Sequence, residues 1–184
     1  MIFNLELLKL NCLVIILIVL LSMFFSLSLV KAQSSSTEVK MREVKLYFSD
    51  LQAQHLVPVS KKIKQDNLWC RVLENLIQGP TTDDVLMTVP KASQVISVEE
   101  EIIDQKSEQK RLVVNFSSEL VSQHWGGSSG TIITINSIIN TLTQFEEVAE
   151  VQLLVAGKEL EYFGGLKIEN PGTFNSAIVT TKNE

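Results

Sequence analysis

The chain has 184 residues, 45% of them apolar, and a formal charge of −5. That is enough length and apolar material for one domain with a real core. An acidic chain without a basic cluster argues against nucleic acid and against anionic membrane surfaces as partners.

Leu13 to Val30, "LVIILIVLLSMFFSLSLV", runs for 18 residues without a charge. Val30-Lys31-Ala32 places small or apolar residues where a secretory signal is cut, before Gln33. The run is also close to membrane-spanning length, and Lys9 is offset by Glu6 in the segment ahead of it. Residues 1–32 are therefore read as a signal peptide or an N-terminal membrane anchor. On either reading the rest of the chain lies outside the cytoplasmic membrane, whether secreted, periplasmic or anchored. Without that leader the charge is near −6 and Cys70 is the only cysteine, so no internal disulfide is available.

Residues 33–43 form a polar linker. "VKLYF" then alternates, with Val44, Leu46 and Phe48 on one face, and predicts a strand. His55 to Ile63 predicts a second strand, and Pro58, which cannot donate to a ladder, places it at an edge. "DNLWCRVLENLIQGP" is the clearest helix, with Asp66 as N-cap candidate and Trp69, Val72, Leu73, Leu76 and Ile77 on its buried face. Gly79 and Pro80 stop it, and Thr81 to Ala92 reads as an irregular loop. "QVISVEEEII" and "KRLVVNF" are two strands joined by a charged turn, and a short helical turn follows at Ser118 to Gln123.

"HWGGSSGT" opens the second long helix, with Ser128 or Ser129 as its cap. Ile132, Ile135, Ile138, Ile139, Leu142 and Phe145 share its core face; Thr134, Asn136, Ser137, Asn140 and Gln144 lie off it, and Ile133 faces outward. "EVAEVQLLVAGKELEYFGG" is a hairpin turning at Gly157, and residues 166–184 have too weak a pattern to predict more than a weakly structured tail. The order β-β-α-β-β-α-β-β gives a small α+β domain, a mostly antiparallel sheet with two main helices on one face.

Six stretches, "VKLYFSD", "LVPVSKKI", "LENLIQGPT", "LVVNFSSEL", "GGSSGTIITINSIINTLTQF" and "EVAEVQLLVAGKELEYFGG", resemble in order and spacing the GerMN domain of bacterial sporulation and germination proteins. The resemblance spans residues 44–165. It implies a ring-building-motif-like α/β module held outside the membrane behind a signal, an anchor or a lipobox. It brings no catalytic residue set. The family often has an aspartate where Asn115 stands, and Cys12 precedes the apolar run instead of ending it, which puts lipid attachment in doubt.

No polar constellation in the sequence points to bond-breaking. Gly126-Gly127 lacks the lysine and the glycine spacing of a phosphate loop. His55 and His124 have no Cys, Asp or Glu at metal-ligand spacing, and no G-x-S-x-G elbow accompanies the serines. Consecutive acids Glu99, Glu100 and Glu101 on a strand point to opposite faces, so with Lys106, Lys110 and Arg111 they read as a solvated hairpin. Cys70 reads as a small buried hydrophobe. The expectation is a non-catalytic module without cofactor or metal. It docks on an envelope protein complex, on itself or on cell-wall polymer, through a surface containing Ile133, Tyr162 and Phe163. A cell-wall hydrolase or amidase is the alternative.

Overall fold

The computed structural model of the protein describes residues 40–180 and, ahead of them, Ile18. Apart from Ile18, the expected leader, 1–32, lies outside the described residues, as do most of the expected linker and 181–184. The chain divides into two units, Met1–Glu38 and Val39–Glu184, and the second carries the sheets and the core.

Strands β1 (Met41–Ser49) and β2 (Leu56–Lys64) form an antiparallel hairpin with Tyr47 opposite Pro58. Val44, Leu46 and Phe48 enter the main core, as the period-2 pattern requires. Tyr47, on the opposite face, is buried in a second cluster with Leu56 and Ile133. Helix α1 (Leu68–Gln78) buries Val72, Leu73, Leu76 and Ile77. Trp69 is half-buried, edge-on to Phe145 at 5.0 Å. The cap is Asn67 in the left-handed region, not Asp66, whose carboxylate instead takes Arg71 at 2.7 Å.

Strands β3 (Val95–Asp104) and β4 (Gln109–Phe116) make the charged hairpin. Lys110 meets Glu100 at 2.6 Å, and Arg111 meets Glu101 at 3.3 Å and Glu150 through its Nε at 2.7 Å. The chain leaves β4 through the short α2 (Glu119–Ser122) and the long α3 (Gly127–Thr143) and returns as β5 (Val148–Val155), parallel to β4. Parallel neighbours need a crossover of this kind; among the described residues the other named strand pairs are antiparallel, and one isolated parallel bridge joins Leu56 to Val179. β6 (Lys158–Glu159) turns back on β5 through Ala156 and Gly157, at φ 50° and 78°, the paired positive angles of a tight hairpin. Asn115 Oδ1 accepts the Gly157 N–H at 2.9 Å and ties that turn to β4. The sheet order is β3-β4-β5-β6, and β7 (Tyr162–Phe163) with β8 (Leu166–Lys167) forms a separate small hairpin. The protein is thus a small α+β domain.

The segment after Gly165, expected to be weakly structured, is instead tied into the fold as far as Thr180. Val151 and Gly172 exchange backbone bonds of 2.9 and 2.8 Å. The Asn170 side chain imitates a strand partner, accepting from Leu153 N at 2.8 Å and donating to Leu153 O at 2.9 Å. A 3-10 turn at Ser176–Ile178 follows, and Thr180 N donates to Leu56 O at 2.8 Å. These anchors are polar groups meeting strand edges, so no apolar period announces them.

Candidate interaction surface

Helix α3 organises the surface. Its N-cap is Gly126 at φ 89°, with no side-chain cap, so Ser128 and Ser129 do not play the expected role. The left-handed cap favours glycine. A side chain at Gly130 would run into the carbonyl of Trp125, which explains the second small residue of the turn.

The helix is buried around most of its circumference, including Thr131, Thr134, Ser137, Asn140 and Thr141. Thr134, Ser137 and Asn140 are thus inside, not off the core as expected, and Ser137 and Thr141 complete a strand edge together with Gln144. Tyr47 O accepts from Ser137 Oγ at 2.6 Å, Tyr47 N donates to Thr141 Oγ1 at 3.1 Å, and Lys45 N donates to Gln144 Oε1 at 2.8 Å. Residues 137, 141 and 144 share one helical face; residues 45 and 47 share one strand edge. Ser49 continues that edge by exchanging backbone bonds with Leu86. Thr134 Oγ1 donates to Thr88 O at 2.7 Å and holds the loop before β3.

Two of the three expected surface residues are therefore misplaced. Ile133 is 5% exposed, packed with Tyr47 and Leu56, because β1 covers that side of α3. Ile132, assigned to the core stripe, faces solvent at 46%. Phe163 is buried, meeting the His124 ring edge-on at 4.4 Å, and Tyr162 is exposed. Strand alternation separates those neighbours. Leu86 and Trp125, not expected at the surface, are open at 42% and 46%. They flank a cleft of about 270 Å3 lined by Met87, Gly130 and Ile133. A large aromatic beside a double-glycine turn was the signal available for Trp125.

The titratable groups are spread out, and several sit in ion pairs. The His124 ring meets those of Trp125 and Phe163, and its Nε2 is buried without a hydrogen-bond partner among the described residues. Burial holds its pKa below the ordinary histidine value, opposed by a hydrogen bond with the Gly130 backbone. His55 Nδ1 instead meets Asp50 at 3.2 Å on the exposed β1–β2 turn. Lys110, then the Trp69 indole, hold Glu100 below the usual carboxylate range, and Arg42 at 2.9 Å does the same for Glu147. Among the described residues no three His, Cys, Asp or Glu side chains stand close enough to hold a metal. Cys70 is half-buried and unpaired.

Fold and surface together define a small α+β module in which one crossover helix braces both sheets. A family model described as "Germane: Sporulation and spore germination" matches residues 45–161, and the chain belongs to that family. The tandem GerMN domains of the sporulation protein GerM from Bacillus subtilis share the fold at TM-score 0.58 and 21% identity, over 73% of this chain and 46% of that one. This chain thus spans less than half of the tandem structure. The first GerMN domain of the same protein matches at TM-score 0.51 and 22% identity, over 73% of this chain and 97% of that one. No curated protein matches the chain.

Proposed function

We propose that the protein is an exported, non-catalytic GerMN module that docks on an envelope protein complex, on itself or on cell-wall polymer. The observation that supports this most is how its polar groups are used. The hydroxyls and amides of α3 hold strand edges and loops, and Glu100 and Glu101 of the β3–β4 hairpin sit in ion pairs. Leu86 and Trp125 stay open beside an apolar cleft. Export is read from the uncharged run Leu13–Val30, which brings the domain to envelope proteins and wall polymer. The family description supports a part in sporulation or spore germination. A hydrolase needs an acid and a base facing one another across a cleft, and no observation favours that alternative.

Full-length protein in detergent would be offered envelope extract and, separately, purified cell-wall sacculi. The reading expects co-purification of a protein or pelleting with sacculi. Release of soluble wall fragments would instead establish the hydrolase. N-terminal sequencing of the mature protein distinguishes a cleaved signal from a retained anchor.

A further inference from the structure

A second cleft, of about 390 Å3, opens between α3 and the C-terminal segment. Its volume lies within the range of small-molecule sites. Ile132, Ile135 and Ile139 give it an aliphatic floor, and Lys167 and Glu169 stand at its rim. Ile168, between them, packs against the core. Lys167 and Glu169 on either side of it are exposed. Neither has an ion-pair partner among the described residues. Thr131 also lines the cleft, and its buried hydroxyl has no hydrogen-bond partner among the described residues. The opposite wall is fixed from within: Asn140 Oδ1 accepts from Asn175 N at 2.8 Å, and Asn175 Nδ2 donates to Asn136 at 3.0 Å.

We propose that this cleft binds a short peptide with free amino and carboxyl groups, two or three residues long with small apolar side chains. Lys167 receives the carboxylate, Glu169 receives the ammonium, and the isoleucine floor receives the side chains. Residues two apart in a chain are separated by at most about 7 Å, and a peptide of two extended residues covers about the same distance. Opposite charges at that spacing above an aliphatic floor suit such a zwitterion better than a single-signed anion or cation. The proposal stands apart from macromolecular docking, which uses the Trp125 cleft and needs no small ligand.

Amide NMR of the isotope-labelled full-length chain in detergent micelles tests it, with Ala-Ala as the probe and its N-acetylated, C-amidated form as the control. Saturable shifts are expected at amides of α3 and of 166–177, with a Kd of about 1 mM or tighter. Capping should weaken binding about tenfold, and Lys167→Gln and Glu169→Gln about threefold each, as exposed ion pairs allow. Both side chains are exposed, so an unchanged spectrum away from the cleft shows that the variants fold. Displacement of the protein from sacculi by Ala-Ala would trace the natural ligand to wall peptides; shifts without displacement would trace it to free peptide. The proposal is overturned by no saturable shift up to about 10 mM, by equal binding of the capped peptide, or by equal binding to the double variant.

Discussion

Asn140 has its side chain wholly inside the protein, spanned between Asn175 O at 2.9 Å and Asn175 N at 2.8 Å. Replacing it with alanine strands two backbone groups, and buried groups left unpaired cost about 1–3 kcal/mol each. Asn140→Ala should therefore lower the urea midpoint by an amount equivalent to about 2 kcal/mol. It should also speed amide exchange at residues 172–180; unchanged exchange there would mean that the amide does not hold the segment. His124 and Glu147 set separate pH responses. The folded pKa of His124 is lowered by burial, so below 6.5 the unfolded chain takes up the proton first and stability falls as pH falls. His124→Phe keeps the ring and removes that slope. The folded pKa of Glu147 is lowered by Arg42, so its contribution is complete above 4.5 and is lost as pH falls from there. Arg42→Gln should flatten the acid limb alone. Denaturation midpoints across both windows, for wild type and the two variants, check both signs.

At the scale of elements, α3 acts as the missing neighbour of β1. Thr141→Val keeps shape and removes the acceptor of Tyr47 N, which leaves a buried N–H unpaired and should cost about 1–3 kcal/mol by equilibrium unfolding. Gly172→Ala should cost a similar amount, since its Cβ would overlap Ile139 and overpacking costs about 1–3 kcal/mol. A midpoint unchanged in either variant would show that the contact carries no weight. This element also shows where sequence reading stops. Strands β1 and β4 and helix α1 were legible because one buried face leaves a period of 2 or 3.6, whereas β3, with no buried residue, was legible from its charged turn into β4. α3 is buried by β1 and by the C-terminal segment, so its rotation could not be read from an apolar stripe, and Ile132 and Ile133 exchanged places. Ser137, Thr141 and Gln144 sit at helical spacing, and Ser137 and Gln144 read as lying off the core until the strand edge they serve is known. The segment 166–180 docks through Asn170, Gly172 and Asn175, residues that sequence patterns assign to turns.

Across the whole domain, strand edges are closed or blunted. Gln144, Ser137, Thr141 and Leu86 close β1, and β6 with 170–172 closes β5. The outer edge of β2 carries Pro58, which has no N–H to offer, beside Lys62 and Lys64. The outer strand β3 carries two register shifts and four acids. Charge, proline and bulges are the devices that keep edges from pairing. Pro58→Val with Lys62→Val should therefore raise light scattering on concentration without moving the unfolding midpoint. With its edges blunted, the domain leaves Leu86 and Trp125 open beside an apolar cleft, while its other exposed apolar side chains, Ile96, Ile102 and Tyr162 among them, lie apart from it.

That claim is tested most directly by comparing the full-length chain with its Leu86→Ala, Trp125→Ala double variant in partner recovery from solubilised envelope. Truncating an anchoring tryptophan costs about 2 kcal/mol or more, so the account predicts at least a tenfold loss of the recovered partner with the unfolding midpoint held. Equal recovery by the variant, or soluble fragments released from sacculi by the wild type, would contradict it.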